Sequence, residues 1–174
     1  MIFEPVVYGD DRGQFFELWN AAHYRRLGID GTFVQDNVSY SRRGVLRGLH
    51  FQHPNAQGKL VSVLDGAVYD VVLDIRIGSP TFGKWTAVEL SSANRLQLYV
   101  PPGYAHGFAV TSAQALFHYK CTEFYRREAE GSVRWNDPAL TIPWPIADPL
   151  LSPKDRDAPL LMELDSASLP PYAG

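Results

Sequence analysis

From about residue 30 to residue 125 the chain runs in short stretches of apolar and polar positions separated by turn residues. Residues 68–76 show the pattern most clearly. Tyr69, Val71, Leu73 and Ile75 fall on one face, and Asp70, Val72, Asp74 and Arg76, mostly polar, fall on the other. A period of two marks a strand, because successive side chains point to opposite faces. Leu64-Asp65-Gly66, Gly78-Ser79-Pro80, Ser91-Ser92-Ala93-Asn94 and Pro101-Pro102-Gly103 punctuate the run with turn chemistry. Strands of this length, with turns every ~8–12 residues, predict an all-β sandwich or barrel, and their number favours a double-sheet jelly roll. Upstream, residues 14–19 read as a strand after an Asp10-Asp11-Arg12-Gly13 turn. Residues 20–28 read as one short helix, with Asn20 as N-cap and Gly28 just past its end.

After Glu128 the periodicity fades. Residues 134–160 are rich in Pro, Trp and Asp, and Trp135, Ile142 and Trp144 predict a packed segment. Ser166 to Gly174 reads as a loose tail. Nothing repeats, and a length of 174 residues fits one domain over 1–174. A net charge of -3 argues against a nucleic-acid face, which would be basic. The single cysteine, Cys121, rules out an internal disulfide and any multi-cysteine metal site, and reads as a small buried residue. The first residues lack a basic segment followed by a long apolar one, and no apolar run has membrane-spanning length, so a cytoplasmic setting is expected.

The chemistry concentrates in two places. Leu46-Arg47-Gly48-Leu49-His50-Phe51-Gln52, followed by Gln57-Gly58-Lys59-Leu60-Val61, sets charged groups among apolar ones. Such groups are costly unless paired or used. Pro101-Pro102-Gly103-Tyr104-Ala105-His106-Gly107-Phe108 is a second such cluster. Together they predict a pocket built from several strands. A jelly-roll metal site commonly needs a His-x-His pair, but His50 and His53 are three apart and so do not share a strand face. The pocket therefore reads as metal-free and cofactor-free, with a metal-dependent jelly roll as the rival. Histidine as base, lysine beside a developing enolate oxygen and tyrosine as acid suit proton abstraction next to a carbonyl.

Taken together, Asp11–Glu17, Gln35-Asp36-Asn37, Gly44–Phe51, Gly78–Gly83, Ala105–Phe108, Tyr119–Thr122, Trp135–Pro138 and Leu151–Asp155 resemble the dTDP-4-dehydrorhamnose 3,5-epimerase family, metal-free cupins of deoxysugar-nucleotide biosynthesis. The resemblance runs from about Gly9 to Pro159. It implies a cupin-type jelly roll, or double-stranded β-helix, with a few short helices. The implied substrate is a dTDP-4-keto-6-deoxy sugar, inverted at C3 and C5 through an enolate. By resemblance His50 is the base, Asp155 its partner, Tyr119 the acid on the opposite face and Lys59 the group near the enolate oxygen. Tyr125 is the other tyrosine weighed as acid, and is matched to an aromatic near the sugar. Arg47 and His106 match pocket residues around sugar and phosphate; Arg12, Glu17, Gln35 and Asn37 match residues that bind the nucleotide. Members are homodimers in which the N-terminal segment of one protomer helps complete the other's site, so Arg12 and Glu17 are expected to act in trans.

His23, His53 and His118 match no role in the family and read as structural or exposed. Val38 and Tyr40 stand where polar residues are expected, and His118 stands where a plainer residue is common. These departures keep open a mono-epimerase acting at C3 or C5 only. A third alternative is a sugar-nucleotide-binding cupin without turnover. Arg47 and His50 are three positions apart, so both reach one pocket only if the strand is irregular, and a bulge is predicted near Gly48.

Overall fold

The computed structural model describes residues 1–172. Twelve strands form it: β1 (Ile2–Phe3), β2 (Val7–Asp10), β3 (Gly13–Phe16), β4 (Gln35–Arg42), β5 (Leu46–Gln52), β6 (Lys59–Asp65), β7 (Ala67–Asp74), β8 (Trp85–Ser91), β9 (Gln97–Val100), β10 (Tyr104–Val110), β11 (Gln114–Cys121) and β12 (Glu130–Ser132). Two short helices, α1 (Ala21–Arg26) and α2 (Pro153–Arg156), accompany them. The strands build two antiparallel five-stranded sheets: sheet I in the order β1-β9-β6-β11-β4 and sheet II in the order β12-β5-β10-β7-β8. The two sheets pack face to face, as the alternating pattern predicts. β2 and β3 pair only with each other, as a separate hairpin.

Three apolar clusters follow from the alternation. Between the sheets lie Val61 and Val63 of β6, Val68 and Val72 of β7, Leu98 and Val100 of β9, Phe108 and Val110 of β10, and Phe117 of β11. The opposite face of β7, with Val71, Leu73 and nearby Ile75, is covered as well. It packs against Val133, Leu140, Leu161 and Leu169, with Tyr69, Ile142 and Trp144 alongside. Residues 134–160 thus form an outer layer over sheet II, where Trp85 and Trp144 donate their indole N–H groups to the carbonyls of Leu140 and Trp135. Over sheet I, Tyr24 of α1 packs with Phe3, Ile29 and Leu60, and donates its hydroxyl to Gln97.

Asn20 caps α1 by accepting from the backbone N–H groups of Ala22 and His23, and Gly28 follows with φ at 93°, as expected of a residue just past a helix end. Two expectations need correction. The strand expected at 14–19 is Gly13–Phe16; the chain leaves the hairpin there, and Glu17 turns to bond Asn20 at the cap. The segment from Ser166 onward is no loose tail as far as it is described. Leu169 is buried, the Ile77 N–H donates to the Pro170 carbonyl and the Tyr172 N–H to the Ile77 carbonyl. Arg76 lies over the rings of both Tyr104 and Tyr172, at 4.3 and 4.9 Å from the ring centres. Short anchors separated by polar residues hold this stretch without any periodicity to announce it. Ala173 and Gly174 lie outside the described residues. None of the described helices is long and apolar enough to cross a membrane.

Candidate active site

A cavity of about 210 Å3 opens between the two sheets. Sheet II contributes Arg47 and His50 from β5, His106, Gly107 and Phe108 from β10, and Glu130 from β12. Sheet I contributes Ser39 from β4, Lys59 from β6, and Phe117 and Tyr119 from β11. Lys154 of α2 completes the wall. Both polar clusters of the sequence therefore converge: Arg47 and His50 lie on β5 beside His106 of β10 in sheet II, and Lys59 faces them from β6 of sheet I.

The convergence depends on a bulge. On β10, Phe108 pairs with Arg47 and His106 with His50, so two steps along β10 match three along β5. The extra residue lets Arg47 and His50 share the cavity while Leu49 and Phe51 face the outer core. Gly48 carries a φ of 131° there, and a Cβ on it would meet the Gly107 Cα at 2.5 Å. The departure from regular pairing expected near Gly48 is present.

Two histidine–aspartate pairs stand behind the wall. His50 Nε2 lies 2.5 Å from Asp155 Oδ1. The Asp155 side chain is only 3% exposed. It is fixed by the α2 N-cap, where Ser152 Oγ donates to Oδ2 at 2.8 Å and accepts from the Asp155 N–H. Burial alone would push this carboxyl up; hydrogen bonds from His50 and Ser152 outweigh it and hold it below its ordinary value. His106 Nε2 contacts both oxygens of Asp70 at 2.9 and 3.0 Å. Asp70 is fully buried, and burial pushes its carboxyl up against the pull of His106 and Lys59. The polar face of residues 68–76 is thus turned inward, toward the histidine.

Across the cavity, burial pulls the Lys59 ammonium down, while Cys121, Asp70 and Glu130 act the other way. Tyr119 is pushed up, first by burial and then by Cys121 and Glu130, against Arg47. A tyrosine that stays protonated is suited to give up its proton late, to a strongly basic carbon.

Not every residue expected from the sequence meets this cavity. Tyr125 is half-exposed beside it, its hydroxyl donating to Glu130 Oε2 at 3.2 Å. Gln35 and Asn37 lie on the inward face of β4, bonded to each other at 3.0 Å, with Asn37 also donating to Cys121 Sγ. Arg12 is on the separate hairpin, paired with Asp10 at 2.5 Å, and Glu17 is bonded to Asn20 and His23. Neither lines the cavity of this chain. In the other direction, Glu130, Lys154, Ser39 and Asp70 have site positions that sequence reasoning missed. Glu130 accepts from Lys154 at 2.6 Å, and this bond overrides its burial to hold the carboxyl below its ordinary value. Lys154 directly precedes Asp155 in the quoted Ser-Pro-Lys-Asp run, which was the available signal for it.

With this geometry in place, known proteins become informative. The family described as dTDP-4-dehydrorhamnose 3,5-epimerase matches residues 1–163. The dTDP-4-dehydrorhamnose 3,5-epimerase of Salmonella typhimurium is 54% identical over 164 residues, covering 92% of this chain and 90% of its own. That of Pseudomonas aeruginosa is 52% identical over 167 residues, covering 95% and 92%. The crystal structure of the 3,5-epimerase RmlC from Legionella pneumophila, in complex with dTDP-4-keto-L-rhamnose, superposes with a TM-score of 0.97 at 54% identity, covering 99% of this chain and 93% of that one. A family match over nearly all of the chain, relatives at half identity and a shared cupin-type sandwich agree: this chain belongs to the dTDP-4-dehydrorhamnose 3,5-epimerase family.

Proposed function

We propose that this protein converts dTDP-4-keto-6-deoxy-D-glucose to dTDP-4-keto-L-rhamnose by inverting C3 and C5. The observation that carries the reading is the His50–Asp155 pair on one wall of a cavity whose other wall presents Lys59 and Tyr119. The C4 ketone acidifies the hydrogens on both neighbouring carbons. Neutral His50 takes one of them, and Asp155 holds the imidazolium that results. Electrons move onto the ketone oxygen, where the Lys59 ammonium stabilises the enolate. Tyr119 delivers a proton to the opposite face of the same carbon and the ketone is restored. Between the two centres His50 loses its proton and the tyrosinate regains one, both by exchange with water, so the sum is an isomerisation with no cofactor.

The nucleotide supplies remote binding energy that holds the ring at the base. Arg47 meets its phosphates with a planar donor fork; Gln35 and Asn37 extend the site along β4, and Tyr125 offers a ring at the rim. Arg12 and Glu17 serve the site of a second copy in a homodimer. Val38 and Tyr40, 60% and 63% exposed on the outer face of β4, support such an assembly. So do the exposed Tyr8 and Phe15 of the unpaired hairpin. We place the activity in the cytoplasm, the setting expected from the sequence.

The test is proton NMR of dTDP-4-keto-6-deoxy-D-glucose in D2O. Deuterium entering C3 and C5, lost with His50→Ala, supports the proposal, and Tyr119→Phe should allow exchange while slowing inversion. Exchange at one centre alone would make this a mono-epimerase, and none at either would refute the reading.

A further inference from the structure

The inward face of β4 is a polar ladder of Gln35, Asn37, Ser39 and Ser41, spaced two apart so that all four point between the sheets. Three of them are bonded. Gln35 donates to Asn37, Asn37 donates to Cys121, and Ser41 Oγ accepts from both Nε and a terminal nitrogen of Arg47 at 3.1 and 3.0 Å. Ser39 is the exception. It lines the cavity, and its Oγ is buried without a hydrogen-bond partner among the described residues. Its register partner on β11 is Phe117, an apolar ring stacked on Phe108 at 4.0 Å, which offers the hydroxyl nothing. A buried hydroxyl with no partner is destabilising, and native proteins retain few of them.

The neighbouring residue says what would satisfy it. Ser41 tethers the Arg47 guanidinium one step along the same strand face, about 6–7 Å from Ser39 by strand geometry. The two groups therefore address the cavity from adjacent positions, one a fixed cation and one a neutral donor. That pairing suits a phosphoryl oxygen, which accepts from both. We propose that Ser39 is a substrate-binding residue whose hydroxyl donates to the diphosphate that Arg47 neutralises. Ser41 is the positioning residue that aims the arginine. The proposal deepens the functional reading above and rests on it for the identity of the ligand.

The experiment compares wild type with Ser39→Ala and Ser39→Thr by calorimetric titration of dTDP and of thymidine, alongside kinetics and thermal melting. Ser39→Ala should weaken dTDP about tenfold, as expected for a hydrogen bond to a charged group, and leave thymidine unchanged. The loss should fall on KM rather than kcat. Ser39→Thr should restore most of it. The melting temperature of free Ser39→Ala should hold or rise, because the deleted hydroxyl has no partner to lose, whereas a structural serine would give a fall. Unchanged dTDP affinity in a wild-type background that exchanges deuterium overturns the Ser39 contact alone. A loss seen with the full dTDP-sugar but absent with dTDP also overturns it, since the hydroxyl would then serve the sugar. A tenfold loss of dTDP in a protein whose wild type shows no exchange keeps the contact and removes the epimerase reading.

Discussion

Substitution of Gly48 by alanine should disable the site without touching any reacting group. The new Cβ would lie 2.5 Å from the Gly107 Cα, 3.0 Å from the His106 carbonyl oxygen and 3.3 Å from the Gly107 nitrogen. Carbon atoms in contact prefer about 3.5–4.0 Å, so β5 and β10 must part by roughly 1 Å. All three obstacles are backbone, and none can rotate away. The φ of 131° adds about 1–3 kcal/mol for any residue with a side chain. Strain and clash together should lower the melting point by roughly 5–10 °C, at about 2–4 °C per kcal/mol for a chain of this size. The displacement falls between Arg47 and His50, and misplacing a reacting group by about 1 Å costs on the order of 10²-fold. Deuterium wash-in at C3 and C5, read as kcat/KM, measures the second effect and calorimetry the first. Gly107→Ala offers an internal comparison, since its Cβ would meet the Arg47 carbonyl oxygen at 2.7 Å at a position with no positive φ. It should show the clash alone. A Gly48→Ala protein within threefold of wild-type kcat/KM and with an unchanged melting point would refute the claim that the close approach at this bulge places the base.

Four further outcomes are expected. Asp155→Asn should lower kcat by about 10²–10⁴-fold with KM within threefold; a fall confined to KM would mean that the carboxylate binds rather than supports the base. The Asp155 carboxyl is held below its ordinary value when folded, so its stabilising contribution is present above the unfolded pKa of about 3.9 and disappears as pH falls through the folded one. Asp155→Asn should therefore lose less melting temperature than wild type between pH 5 and pH 2, and parallel curves would contradict this. Asp74 accepts from Arg76, Ser79 and Thr81 at 2.6–3.0 Å, bonds that override its burial and hold it well below the carboxylate range; Asp74→Ala should cost about 3 kcal/mol, and a loss under 1 kcal/mol in urea unfolding would show the network to be dispensable. Lys59→Met removes a desolvated ammonium while keeping its stem, so turnover should fall at least 10²-fold with the melting point level or higher; a drop of several degrees would reveal a structural ion pair instead.

The sequence made some of this legible for physical reasons. Arg47, His50, Lys59 and His106 were visible because they interrupt apolar strands, where a charge needs a purpose, whereas Tyr119 and Asp155 were singled out only by resemblance to the family. The irregularity at Gly48 was visible because Arg47 and His50 have the wrong spacing for one face. Asp70 was overlooked because an alternating strand reads as one dry and one wet face, whereas both faces of β7 are covered, one by sheet I and the other by residues 134–160. Glu130 comes from a segment without periodicity, so no pattern could place it beside β5, and Lys154 was signalled only by its place next to Asp155. The anchoring of Leu169 and Pro170 was equally silent, since it rests on single backbone bonds and one arginine between two tyrosines. The position of Arg12 depends on a hairpin whose strands, among the described residues, pair only with each other, and that of Glu17 on its bond to the helix cap, neither of which strand patterns can anticipate.

The His50–Asp155 bond spans 105 residues of sequence. At a synthesis rate of about 5–20 residues per second, roughly 5–20 s separate the appearance of the two side chains on the ribosome. By then every strand that lines the cavity has been made, while its histidine still lacks an anion. The group that supports the base is thus among the last parts of the site to be synthesised. A chain interrupted between residues 133 and 153 would contain every strand of the cavity yet lack both the aspartate that supports its base and the lysine that closes its wall.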